Sequence, residues 1–278
     1  MASGRWMDGN PLVRLVRSLS AAILPPVCCD CGRLFRMPAE PMAPEARAPL
    51  AHWFRFLLRQ HLCSGCAQRF AAVGSPRCPC CGEPFASPHG LDHLCGVCRA
   101  QPPRFAAARA AGRYEGPLRT LIHQHKYGGR EHLGSLLGRL LWEVLRREWD
   151  PAVIDHVLPV PLHPRRLRQR GFNQSLALIQ GWPRLARSEG VAAADDWVAP
   201  RWLVRRRPTR PQTGLTRKER AANLQQAFGV HPAAAIAGRR ILVVDDVLTT
   251  GATADACAGV LLDRGAAEVR LLTVARAV

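Results

Sequence analysis

The residues best suited to chemistry lie near the carboxyl end of the 278-residue chain, in the run Ile241-Leu-Val-Val-Asp245-Asp246-Val247-Leu248-Thr249-Thr250-Gly251-Ala252-Thr253-Ala-Asp255. An apolar run ending in two carboxylates reads as a strand that delivers acids to its carboxyl end. The turn behind it, rich in threonine and glycine, reads as the start of a helix. Free backbone amides at such a start hold a phosphate, the threonine hydroxyls add donors, and Gly251 lets a ligand come close. The carboxylates can accept hydrogen bonds from the 2′,3′-diol of a ribose. One ligand carrying both a phosphate and that diol would satisfy both halves of the motif. A generic strand end with Asp and Thr as helix caps explains single residues of the string, not the whole of it.

A second device occupies the amino-terminal third. Ten of the eleven cysteines fall between Cys28 and Cys98, and eight of them form four Cys-x-x-Cys pairs: Cys28/Cys31, Cys63/Cys66, Cys78/Cys81 and Cys95/Cys98. The pairs repeat as a unit. Cys28-Cys-Asp-Cys31-Gly-Arg-Leu-Phe35 matches Cys78-Pro-Cys-Cys81-Gly-Glu-Pro-Phe85, and His61-Leu-Cys63-Ser-Gly-Cys66 matches His93-Leu-Cys95-Gly-Val-Cys98. Two such turns complete a tetrahedron of thiolates around zinc, so about two structural zinc ions are expected, one per repeat. Disulfides are the competing reading, and the lack of an export signal argues against them. Cys29, Cys80, His61 and His93 adjoin the pairs and stay open as substitutes for a ligand. With four cysteines per ion no coordination position is left for catalysis, and the metal is expected to support a fold too small for much core.

Other residues must position these two devices. From about Arg104 the cysteines stop, and apolar β-type runs alternate with helical stretches, the pattern of a mostly parallel sheet flanked by helices in the α/β class. Strands are expected over 153–160, 240–244 and 268–274, and helices over 118–126, 133–147, 173–187 and 253–264. The expected division is 1–103 for the amino-terminal segment with its double zinc ribbon and 104–278 for the α/β domain. Between the first two cysteine pairs, 37–49 reads as loop and 50–58 has helical spacing of its apolar residues.

The formal charge of +18 suits an anionic partner, and almost all of it is arginine, since Lys126 and Lys218 are the only lysines. Arg165, Arg166, Arg168 and Arg170 crowd the segment 161–171, where forked guanidinium groups could hold phosphate oxygens. Lys126, ahead of two glycines, is a further phosphate candidate. The tryptophans at 142, 149, 182, 197 and 202 could stack on single-stranded nucleic acid, though core packing competes for them. The apolar stretch 12–24 is broken by Arg14 and Arg17, so no membrane insertion and a cytoplasmic location are expected.

The acidic run resembles the phosphoribosyl-pyrophosphate motif of type I phosphoribosyltransferases, and the chain as a whole resembles the ComF family. Three further features carry that likeness: the zinc ribbon, the segment 160–174 (Val-Pro-Leu-His-Pro-Arg-Arg-Leu-Arg-Gln-Arg-Gly-Phe-Asn-Gln), and the segment 212–223 (Gln-Thr-Gly-Leu-Thr-Arg-Lys-Glu-Arg-Ala-Ala-Asn). The resemblance implies a type I phosphoribosyltransferase-like sheet and binding of 5-phosphoribosyl-1-pyrophosphate with magnesium. Asp245 and Asp246 would be catalytic, and residues 247–253, Lys126, Arg165, Arg166 and Arg170 would bind the ligand. Residues 161–171 would take the place of the pyrophosphate loop and 205–220 that of the lid. It also implies pentosyl transfer, or else non-catalytic handling of single-stranded DNA, with competence proteins as partners in natural transformation and DNA uptake.

Overall fold

A computed structural model describes residues 25–37, 43–45, 48–87, 89–192, 196–206 and 227–278. The stretch 12–24, the segment 212–223 and all but Arg205 and Arg206 of 205–220 lie outside the described residues. The helices, in chain order, are α1 (Leu50–Leu58), α2 (Ser64–Gln68), α3 (Gly96–Ala100), α4 (Gly116–Tyr127), α5 (Leu133–Glu148), α6 (Pro164–Arg170), α7 (Gln174–Ile179), α8 (Trp182–Ser188) and α9 (Ala252–Leu262). The strands are β1 (Ala107–Arg113), β2 (His156–Pro159), β3 (Leu203–Arg205), β4 (Phe228–Val230), β5 (Arg240–Leu248) and β6 (Glu268–Arg276).

Four strands form an all-parallel sheet in the order β1-β6-β5-β2, and β3 and β4 form a separate antiparallel pair. Side chains of a strand alternate between faces, so a strand covered on both sides is apolar throughout. In β5, Leu242 and Val244 face the core of α4, α5 and α7, while Ile241 and Val243 face the core of α9. This places the carboxyl end of β5 between two helical layers, the usual location of ligand sites in open α/β sheets.

Several expectations shift in detail. The strand 153–160 starts only at His156, because Pro151–Val153 forms a single 3₁₀ turn capped by Asp150, which accepts from Ala152 N at 2.9 Å. The helix 173–187 is two helices, since Pro183 has no N–H to donate and the chain turns at Gly181. Residues 161–171 are not simply a loop. Pro164 at the first turn, the cap His163 Nδ1 accepting from Arg165 N at 3.2 Å, and Gly171 at φ 80° define α6.

The cysteine-rich residues pack on the sheet. Residues 71–73 lie antiparallel beside β1, with Val73 N bonding Ala111 O at 3.2 Å and Arg113 N bonding Ala71 O at 2.8 Å. The second knuckle adds Ala108 N to Cys80 O at 2.7 Å. Gly82 makes this approach possible, since it sits at φ 69° and a Cβ there would lie 2.6 Å from Ala108 O. The first knuckle docks on α4, where Thr120 Oγ1 donates to Asp30 at 2.7 Å and Gln124 Nε2 to Cys29 O at 2.7 Å.

Candidate sugar-phosphate site and cysteine clusters

A cleft of about 940 Å³ opens at the carboxyl end of β5. Its lining brings together Asp245, Asp246, Val247, Leu248, Thr249, Gly251 and Thr253 with Lys126 from α4, Arg166 and Arg170 from α6, and Ser175 from α7. Thr250, Ala252 and Arg165 do not line it. Arg165 and Arg168 point to solvent from the outer side of α6, a helix with no buried residue. The acids are still part of β5, opposite β6 in register, with Asp245 beside Thr273.

The two carboxylates occupy different surroundings. Asp246 Oδ1 forms an ion pair with Lys126 Nζ at 2.8 Å, both side chains being largely covered at 13% and 18% exposure. Burial is the largest single influence and would lower Lys126, but the charge and hydrogen bond of Asp246, with the charge of Asp245 behind them, together outweigh it and hold the ammonium above its ordinary range. Asp245 accepts from Ser175 Oγ at 2.9 Å and from Asp246 N at 2.9 Å. Burial first, and the adjacent Asp246 charge second, push its carboxyl up to about 7 despite those donors and Lys126. Among the described residues this pair of acids has one close ammonium, an arrangement electrostatically suited to hydroxyl donors or a further cation.

The turn that follows has Gly251 at φ 82°, immediately before α9, whose first amides face the turn. Asp255 bonds Arg104 N at 2.5 Å and so faces away from the ligand side. On the opposite rim, Arg170 donates to Tyr127 Oη at 2.5 Å and lies 4.7 Å above its ring. Arg205 enters the cleft from β3, and burial first, then the nearby Arg166, lower its pKa. A partly buried guanidinium with a second one beside it at the edge of a cleft marks a place for a polyanion. Gln174 was legible only as the last residue of the 160–174 string and Arg205 only as the start of the lid, while Ser175 carried no sequence signal.

Each predicted set of four cysteines converges. The sulfurs of Cys28, Cys31, Cys63 and Cys66, and those of Cys78, Cys81, Cys95 and Cys98, lie within 4.8 Å of one another. Cys31 and Cys63 sulfurs are 3.8 Å apart, and those of Cys81 and Cys95 are 3.7 Å apart. A tetrahedron of Zn–S bonds near 2.3 Å has edges of about 3.8 Å. Backbone amides aim at the sulfurs: Cys63 N at Cys28 and Cys95 N at Cys78, both 3.4 Å. Burial raises the Cys28 and Cys78 thiols, yet the surrounding amides together prevail, those of Cys31, Cys63 and Asp30 at Cys28 and those of Cys95, Cys81 and Cys80 at Cys78, and bring the thiols to about 6 and about 7. Both clusters can hold zinc. Three of the four neighbours are engaged elsewhere, and Cys80 alone meets a cluster sulfur, that of Cys98. Cys29 Sγ accepts from Arg130 at 2.6 Å, and His93 stacks on Phe85 at 3.9 Å. His61 lies against His132 at 5.1 Å, and Cys80 packs in the apolar surround of the second cluster.

Of the tryptophans, Trp142, Trp182 and Trp197 form a buried cluster in which Trp142 is edge-on to the other two, and they are core residues, not a stacking surface. Trp149 is flanked by Arg109 and Arg270, and Trp202 lies on His156. No helix among the described residues is long and apolar enough to cross a membrane.

A family model described as a phosphoribosyl transferase domain matches residues 199–277. The chain is 36% identical over 239 residues to the DNA utilization protein YhgH of Escherichia coli strain K12, an alignment covering 83% of this chain and 94% of that protein. It is 31% identical over 225 residues to competence protein F of Haemophilus influenzae, covering 80% and 93%. The chain belongs to the ComF family. A more distant relative, competence protein ComFC of Streptococcus pneumoniae, is 26% identical over 219 residues, with 77% and 87% covered. The protein thus combines a phosphoribosyltransferase-like domain on a parallel sheet with two clusters of four cysteines, in a ComF-family chain.

Proposed function

We propose that the cleft binds 5-phosphoribosyl-1-pyrophosphate. The observation that carries this is the meeting, in one cleft, of the Asp245–Asp246 pair, the Thr249–Thr253 turn and the cations Lys126, Arg166, Arg170 and Arg205. The ribose diol would donate to the carboxylates, the 5-phosphate would lie on the turn at the start of α9, and the pyrophosphate would face the arginines. Arg165 is proposed to act on the outer surface instead. The two cysteine clusters are proposed as structural zinc sites.

Pentosyl transfer breaks the bond from ribose C1 to the pyrophosphate oxygen and forms one to an acceptor, through a transition state with positive charge on the sugar. Asp245 and Asp246 would orient the diol and favour that charge, and Arg166, Arg170 and Arg205 would receive the departing anion. Magnesium bound with the ligand would neutralise pyrophosphate oxygens, which suits a site whose two acids have one close ammonium. The curated relatives are named for competence and DNA utilization, and we place this chain in the same handling of incoming DNA. The outward arginines of α6 favour a second reading, in which the sugar-phosphate site is a sensor on a protein that holds single strands.

Pyrophosphate release measured over a panel of free bases, alongside single-strand binding at graded salt, tests the pair. Release with one base establishes transfer. Ligand binding without release, together with steeply salt-dependent strand binding, establishes the second reading. Absence of ligand binding removes both.

A further inference from the structure

The cluster of Cys78, Cys81, Cys95 and Cys98 reaches the phosphate-binding turn through one arginine. Arg276, at the end of β6 and 7% exposed, donates from Nη1 to the carbonyl oxygens of Leu248, at 3.3 Å, and Thr249. Its Nη2 meets Glu83 Oε2 at 3.2 Å. Glu83 follows Cys81 by two residues, gives its backbone N–H to the Cys81 sulfur, and accepts Cys78 N at its carbonyl at 2.8 Å.

In a trans peptide the C=O and the following N–H point in opposite directions. Carbonyls of Leu248 and Thr249 held by Arg276, that of Leu248 also by Ala277 N at 2.9 Å, therefore turn the amides of Thr249 and Thr250 away from the guanidinium, in the turn where Thr249 and Gly251 border the cleft. Thiolates closed on a metal hold the knuckle, the knuckle holds Glu83, and Glu83 holds the guanidinium. We infer that Glu83 and Arg276 are positioning residues that couple metal occupancy of the second cluster to sugar-phosphate affinity at the turn. The inference rests on the cleft being a phosphoribosyl pyrophosphate site. Coupling is reciprocal, so ligand on the turn must also slow metal loss from that cluster.

The test uses full-length, zinc-loaded protein as wild type, Glu83→Ala and Glu83→Gln, since Glu83 is partly exposed whereas Arg276 is buried. Calorimetry with phosphoribosyl pyrophosphate and magnesium reads affinity, and peptide-resolved thiol alkylation under a chelator reads each cysteine. In wild type the ligand should slow alkylation of Cys78, Cys81, Cys95 and Cys98 several-fold. Glu83→Ala, with metal content and melting temperature retained, should bind about tenfold more weakly, as expected for one lost charge-assisted hydrogen bond, and should lose the protection. Glu83→Gln keeps an acceptor and should stay within about threefold of wild type. Equal affinity and equal protection in Glu83→Ala overturns the coupling and leaves the ligand assignment standing. So does a wild type that binds ligand with unchanged alkylation of the second cluster. A wild type that binds no ligand overturns the ligand assignment and the coupling with it.

Discussion

Neutralising the two acids one at a time should move stability in opposite directions, because the structure gives them different partners. Asp246→Asn leaves the Lys126 ammonium, 18% exposed, without its counter-ion. Removing one partner of a well-covered pair typically costs about 3–5 kcal/mol, and residual solvent at this cleft brings the expectation to about 2–3 kcal/mol of destabilisation. Asp245 works the other way. Its carboxyl is pushed up to about 7 by burial and by Asp246, against about 3.9 in an unfolded chain. The native state then binds more protons than the unfolded state between about pH 4 and pH 7, so stability falls as pH rises through that window and levels off above it. At pH 8 the ionised group costs up to about 4 kcal/mol, of which the lost Ser175 bond returns about 1. Asp245→Asn should therefore stabilise the protein at pH 8 by about 1–3 kcal/mol. Urea unfolding of wild type and both variants at pH 8, with zinc present, gives the comparison. If Asp245→Asn loses as much stability as Asp246→Asn, the electrostatic picture of this site is wrong.

Metal analysis of the purified chain should return about two zinc ions, and a value near zero would contradict the tetrahedral reading of the clusters. Affinity for phosphoribosyl pyrophosphate should rise about tenfold from pH 6 to pH 8 as Asp245 ionises, beyond any rise seen with inorganic pyrophosphate, and the excess should vanish in Asp245→Asn. Trp142→Ala should cost about 3–5 kcal/mol by opening the buried tryptophan cluster, while single-strand affinity of the folded variant stays unchanged. Binding to single strands should weaken steeply with salt, and Arg165→Ala with Arg168→Ala should flatten that slope if α6 is the contact.

How much was legible in the sequence varied with the kind of signal. The strand at 240–244 and the helices at 118–126 and 133–147 stood out because long apolar periodicity outweighs local chemistry. The cysteine sets were readable from repeated spacing alone, since a knuckle is a local object. β1 was missed. Ala107-Ala-Arg-Ala-Ala-Gly-Arg113 has little β propensity, and it becomes a strand because β6 pairs with one edge and residues 71–73 and Cys80 with the other. Ser175 and Arg276 were invisible for a similar reason. Their importance lies in partners 70 and 27 residues away, Asp245 and Thr249, which only the folded sheet brings near. The contrast between Asp245 and Asp246 also had no sequence signal, since it depends on Lys126 reaching across from α4.

The central claim, a site shared by a ribose diol and a phosphate, is tested most directly by titrating wild type and the Asp245→Asn/Asp246→Asn double variant. The ligands are phosphoribosyl pyrophosphate, ribose 5-phosphate and inorganic phosphate, in magnesium. Each lost hydrogen bond to a charged acceptor is worth about 1.5–3 kcal/mol, so both ribose ligands should weaken on the order of a hundredfold or more, while inorganic phosphate binding persists. Unchanged affinity of the double variant for phosphoribosyl pyrophosphate would contradict the account.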